Sequence, residues 1–88
     1  MTKIQHPGEI LVKEFLQKFN ISRKRLGRGT GMATGDINAV INGKSSITAN
    51  MAIRLSWFLG TSPGFWLTLQ KRFDLKNVAE KLGDSRYH

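Results

Sequence analysis

The chain contains no cysteine, so it has neither a disulfide framework nor a thiolate metal site. Its two histidines, His6 and His88, stand at opposite ends. No HExxH motif or carboxylate pair accompanies either, so no metal-ligating or catalytic cluster is expected, and neither enzymatic activity nor a cofactor. No segment approaches the ~20 apolar residues that span a bilayer, because Arg54 interrupts the best candidate, MAIRLSWFL. The first ten residues lack an apolar signal core, so a soluble cytoplasmic protein is expected. Acidic residues are also scarce, six against 14 lysines and arginines, which leaves a formal charge of +8 on 88 residues. So basic a chain favours a polyanionic partner, nucleic acid before an anionic membrane surface, over a merely solvated face.

What the chain does have is helical punctuation. His6-Pro7-Gly8-Glu9 opens a first helix, with proline where its missing N–H goes unpaired and an acid at the positive helix end. Ile10, Leu11, Phe15, Leu16 and Phe19 give it an apolar stripe, and Asn20 ends it. Ser22 caps a second helix that carries Leu26 and Thr30 inside and Arg23, Lys24, Arg25 and Arg28 outside. Gly27 and Gly29 weaken that helix by ~1 kcal/mol each relative to alanine, so tertiary packing must hold it. Gly31 is the turn. A third helix begins at Ala33 or Thr34 and runs to about Ile41, with Ile37, Val40 and Ile41 inward and Asn42-Gly43 as its stop. Gly27, Gly31 and Ile37 then stand at the spacing of a helix-turn-helix, which places that motif at 22–43.

At 100° per residue the outer face of the third helix carries Gly35, Asn38, Ala39 and Asn42, with Thr34 at its margin. This face is the candidate for entering a DNA major groove. Asn38 can pair with adenine in two places, Ala39 or the Thr34 methyl can touch a thymine methyl, and Gly35 lets backbone approach closely. Asp36 either accepts from cytosine or, the better account, offsets the helix dipole in the first turn. Ser22, Arg23, Lys24, Arg28 and, after the helix, Lys44 are the candidate phosphate contacts.

Thr48 caps a fourth helix with Ala52, Leu55, Phe58 and Leu59 inside, closed by Gly60. Ser62 and Pro63 start a fifth, whose stripe of Phe65, Trp66, Leu69 and Phe73 is unusually aromatic. Such a stripe is more often core, but five short helices leave little room for every ring, so these residues are also candidates for a dimer seam. Leu75, Val78, Ala79 and Leu82 allow a short sixth helix. The expectation is one all-α domain over residues 1–83 with a flexible tail at 84–88.

HPGEIL, the segment 22–43, NGKSSIT, MAIRLSWFLGTSPGFWLTLQ and FDL together resemble HigA-type antitoxins, also known as VapI or plasmid-maintenance antidote proteins, within the Cro/C1 (XRE) group. The likeness runs from about His6 to Leu75. It implies a five-helix homodimer that binds a palindromic operator in double-stranded DNA before its own operon and neutralises a RelE-like ribonuclease toxin, HigB. By position it puts Arg23 on phosphate and Ala33, Thr34, Gly35, Asp36 and Asn38 along the base-reading segment. The chain departs where relatives often carry Ser or Thr at 33 and Arg or Gln at 34 to 36, which removes long hydrogen-bonding side chains there. Two alternatives therefore stand beside the repressor: a protein-binding toxin inhibitor with vestigial DNA affinity, and a solitary regulator.

Overall fold

A computed structural model describes residues 4–83, and its helices begin where the capping residues stand. In α1 (Pro7–Ile10) the His6 side chain closes the N-terminus, its Nδ1 accepting the Gly8 N–H at 2.9 Å. The helix continues without a break through Leu11–Leu16 in wider, π-helical turns. There Gln17 N–H bonds the Val12 carbonyl and Ile21 N–H the Leu16 carbonyl, both at 2.8 Å and both five residues back. That wider spacing corrects the expected stripe. Leu11 and Leu16, five apart, both face the core, while Phe19 swings out to 62% exposure. Asn20 ends the segment in a left-handed conformation, φ 55°.

Three further helices follow, two of them started by a capping side chain. Ser22 Oγ accepts the Arg25 N–H at 3.0 Å to start α2 (Arg23–Thr30), and Gly31 at φ 74° stops it. The third, α3 (Thr34–Ile41), begins after Ala33 with no side-chain cap and ends before Gly43 at φ 73°. The fourth, α4 (Ala49–Leu59), is capped by Thr48 and closed by Gly60.

The last helix differs from expectation. Among the described residues no separate sixth helix forms: α5 (Pro63–Lys81) runs unbroken for 19 residues from its Ser62 cap. Nothing in RFDLKNVAEK interrupts it, and i,i+4 contacts continue along this part of the helix. Gln70 Nε2 donates to Asp74 Oδ1 at 3.0 Å and Lys76 pairs with Glu80 at 2.8 Å. Residues 84–88, expected as a tail, lie outside the described part.

Leu11, Leu16, Leu26, Ile37, Val40, Ile47, Ala52, Leu55 and Trp66 form the core. Trp66 is enclosed, its Nε1 donating to Thr61 Oγ1 at 2.7 Å. The loop after α3 is anchored by buried Gln70, whose Oε1 accepts the Ile47 N–H at 2.8 Å. The packing thus pins α3 from behind through α1, α2 and that loop, and leaves its front free. Among the described residues no helix is long and apolar enough to cross a membrane.

Candidate nucleic-acid interface

The turn between α2 and α3 is tight because its small residues leave no alternative. A Cβ on Gly27 would stand 3.1 Å from the Met32 carbonyl oxygen and 3.4 Å from Ile37 Cδ1. Gly31 takes the left-handed conformation and donates its N–H to the Gly27 carbonyl at 2.8 Å. Thr30 Oγ1 donates to the Leu26 carbonyl at 2.7 Å and accepts from Met32 N–H at 3.2 Å, so a buried hydroxyl ties both sides of the turn. The three spaced residues read from the sequence are thus the contact points of the two helices.

One residue that holds this turn escaped the sequence reading. Arg54 of α4 donates from Nη1 to the Thr30 carbonyl at 2.9 Å and from Nε to Asn50 Oδ1 at 2.7 Å. A cation on the last carbonyls of α2 suits the negative end of that helix. Its one sequence signal is that Arg54 is the only charged residue of α4.

Ile37 and Val40 face inward at 0% and 1% exposure. Thr34, Gly35, Asp36 and Asn42 are exposed, and Asn38 and Ala39 are half-buried. Asp36 lies in the first turn of α3, where the dipole account needs an acid. Around this face Ser22, Arg23, Lys24, Arg25, Arg28 and Lys44 are all exposed. Arg23 and Asn38 are brought into contact, Nη1 donating to Oδ1 at 2.8 Å.

Charge is divided unevenly over the surface. Among the described residues the ion pairs are Lys13–Glu9 at 3.9 Å, Lys18–Glu14 at 3.7 Å and Lys76–Glu80 at 2.8 Å, in the segment 9–18 and in the last helix. None takes up a cation of the segment 22–44. That segment carries five Lys and Arg against one acid, so its field is left positive beside an exposed polar helix face.

The expected dimer seam needs correction. Trp66 is fully enclosed in the monomer and has no surface to offer. Phe73 packs edge-on against His6 with ring centroids 4.9 Å apart, and Leu69 rests half-buried on the core. Phe65 reaches solvent but leans on Trp66 and Phe15. A helical stripe shows which face is apolar, not what covers it, and here the monomer covers most of it. Exposed apolar side chains of α5 lie elsewhere, at Leu67, Leu75, Val78 and Leu82.

Comparison with known proteins agrees with this geometry. The HTH_3 model, described as helix-turn-helix, matches residues 12–66. The uncharacterised HTH-type transcriptional regulator YddM of Escherichia coli K12 is 33% identical over 86 residues, covering 98% of this chain and 90% of that protein. The structure of the antitoxin GraA superposes with a TM-score of 0.89 at 40% identity, over 96% of this chain and 90% of that one. The Pseudomonas aeruginosa antitoxin HigA, solved with the higBA promoter, superposes with a TM-score of 0.88 at 36% identity, over 98% of this chain and 94% of that one. A five-helix fold, a helix-turn-helix at 22–43 and likeness over nearly the whole chain place this protein in the helix-turn-helix family, in the group that includes the HigA and GraA antitoxins.

Proposed function

We propose that this protein is a dimeric, sequence-specific repressor that binds the operator of its own operon in the cytoplasm and serves as the antitoxin of a HigBA-type pair. The observation that carries the DNA-binding part is the cluster of unneutralised cations around α3. Lys24, Arg28 and Lys44 hold phosphates on either side while Thr34, Asn38, Ala39 and Asn42 face the groove, with Ser22 and Gly35 close to the backbone. Asp36 is there for the helix dipole. No chemical step is asked of any residue, so the protein acts by binding and not as an enzyme.

Two copies join through the outer edge of α5. Leu67, Leu75 and Val78 border an open groove of about 320 Å³ that also contains Lys71 and Asp74. In an antiparallel, two-fold pairing Lys71 of one copy lies opposite Asp74 of the other, so the same patch complements itself. Val78→Glu should then convert the dimer to monomer in sedimentation. An unchanged mass would place the seam elsewhere.

Kinship with proteins named antitoxins supports a role in neutralising a toxin, and the RelE-like ribonuclease class is what the sequence resemblance implies. The test of the whole reading is a mobility shift with the DNA preceding this gene against an unrelated fragment, paired with co-expression of the neighbouring small open reading frame. A shift specific to the first fragment supports the repressor. A co-purified partner with no shift would favour the inhibitor.

A further inference from the structure

Sequence reasoning gives Arg23 to phosphate and Asn38 to adenine, and the geometry alters both assignments. Arg23 opens α2 and Asn38 sits midway along α3, yet Arg23 Nη1 donates to Asn38 Oδ1 at 2.8 Å. A guanidinium has no acceptor, so only the amide oxygen can face it, and the amide nitrogen must point away. Asparagine reads adenine with both groups at once: its oxygen accepts from the adenine N6 amino group and its nitrogen donates to N7. Here the oxygen already accepts one hydrogen bond, which leaves it a single lone pair and sets a guanidinium beside the amide.

The pair therefore presents mostly donors. Asn38 offers the two N–H groups of Nδ2, and the guanidinium offers the donors not spent on Asn38. The major-groove edge of guanine is made of two acceptors, N7 and O6, whereas adenine and cytosine each present an amino group there. Donor facing donor leaves both unsatisfied, so those bases are disfavoured. Arg23 has no competing carboxylate within ion-pair distance among the described residues. Glu9, which lines the same groove between α1 and α3, is turned to Lys13 at 3.9 Å. The contact between them also fixes two side chains before DNA arrives and so lowers the entropy lost on binding.

We propose that Arg23 and Asn38 act as one unit that selects guanine in each operator half-site, which makes Arg23 a specificity-determining residue and not only a phosphate anchor. This rests on the operator-binding reading above. The test is selection from a random-sequence duplex library by the full-length protein and by Arg23→Ala, Arg23→Lys, Asn38→Ala and the double alanine variant. Arg23 is exposed and Asn38 half-buried, and circular-dichroism melts check that each variant is folded.

The expected wild-type sites hold one guanine per half-site that becomes degenerate in both alanine variants. Each single variant should lose about tenfold or more on the selected site, within the range of one bidentate base contact, and the double variant little beyond that. Arg23→Lys keeps the charge but lacks the fork, so it should retain affinity for random DNA while losing the guanine preference. Placing 7-deazaguanine at that position should weaken wild type and leave Arg23→Ala unaffected. An Arg23→Ala variant that weakens every sequence equally, with the selected bases unchanged, would return Arg23 to phosphate and overturn the proposal. So would an adenine lost only on Asn38→Ala. A wild-type protein that enriches no site at all would overturn the operator-binding reading as well.

Discussion

Gly8 of α1 lies directly against the Val40 carbonyl of α3, so close that a Cβ on residue 8 would collide with that oxygen and with the Ile41 backbone. The first helix therefore braces the back of the base-reading helix by main-chain contact, and only glycine permits it. Gly8→Ala should lower unfolding free energy by about 1–3 kcal/mol or more, because the obstacle is backbone and cannot step aside. Gly29→Ala should cost less, since its obstacle is the Phe58 ring, a side chain that can shift. Gly35→Ala should do the opposite: nothing lies within 4 Å, so the gain in helix propensity of about 0.5–1 kcal/mol is realised in full. Urea denaturation of the three variants checks the reversal of sign, and a stable Gly8→Ala protein would contradict the packing.

His6 makes stability depend on pH. Burial holds its pKa below the ordinary value of 6.5, against the opposing pull of Asp74, the Ser45 backbone and Glu9. Its Nδ1 must stay unprotonated to accept the Gly8 N–H. Because the folded protein binds this proton less readily than the unfolded chain, the contribution is whole above pH 6.5 and is lost as pH falls through the lower, folded-state value. Urea midpoints measured from pH 7.5 to 5 should fall for wild type and fall less for His6→Asn, which keeps a capping oxygen. Equal slopes would remove His6 from the effect.

Arg54→Met keeps the aliphatic stem but uncaps α2 at the Thr30 carbonyl. A charged hydrogen bond of this kind is worth about 1.5–3 kcal/mol, and the half-exposed setting puts the expected loss near the lower figure. Arg54→Lys should recover part of it, since an ammonium can still reach one of the two acceptors. Thermal melts compare the two, and identical losses would argue against the helix-end contact.

Gln70→Leu tests the loop behind α3. The substitution leaves the Ile47 N–H buried without a partner, at a cost of about 1–3 kcal/mol. Amide exchange at Ile47 should quicken along with the drop in urea midpoint. Unchanged protection there would show that another acceptor takes over.

Much of this architecture was legible because it is local. Ser22, Thr48 and Ser62 cap their helices within three residues of themselves, and Gly31 and Gly60 stop them by adopting left-handed φ angles of 74° and 79°. The stripe of Ile37 and Val40 follows from helical period alone. The misreadings depend on partners distant in sequence or on backbone bonding that no side chain announces. The π-helical turns of α1 turned Phe19 outward. Trp66 stands open between core and seam in the sequence because period cannot say whether a second copy or the monomer itself covers a face. Arg54 meets Thr30 across 24 residues and Arg23 meets Asn38 across 15, and no local pattern encodes either contact.

The exposed polar face of α3 is flanked by cations that form no ion pair among the described residues, and counterion release measures their contact with DNA directly. If three or four of Arg23, Lys24, Arg25, Arg28 and Lys44 in each copy meet phosphates, a dimer neutralises about six to eight. The association constant for the DNA preceding the gene, followed across roughly 50–200 mM salt, should then fall with a log–log slope near −6. A slope near zero would contradict the assignment of this face to DNA.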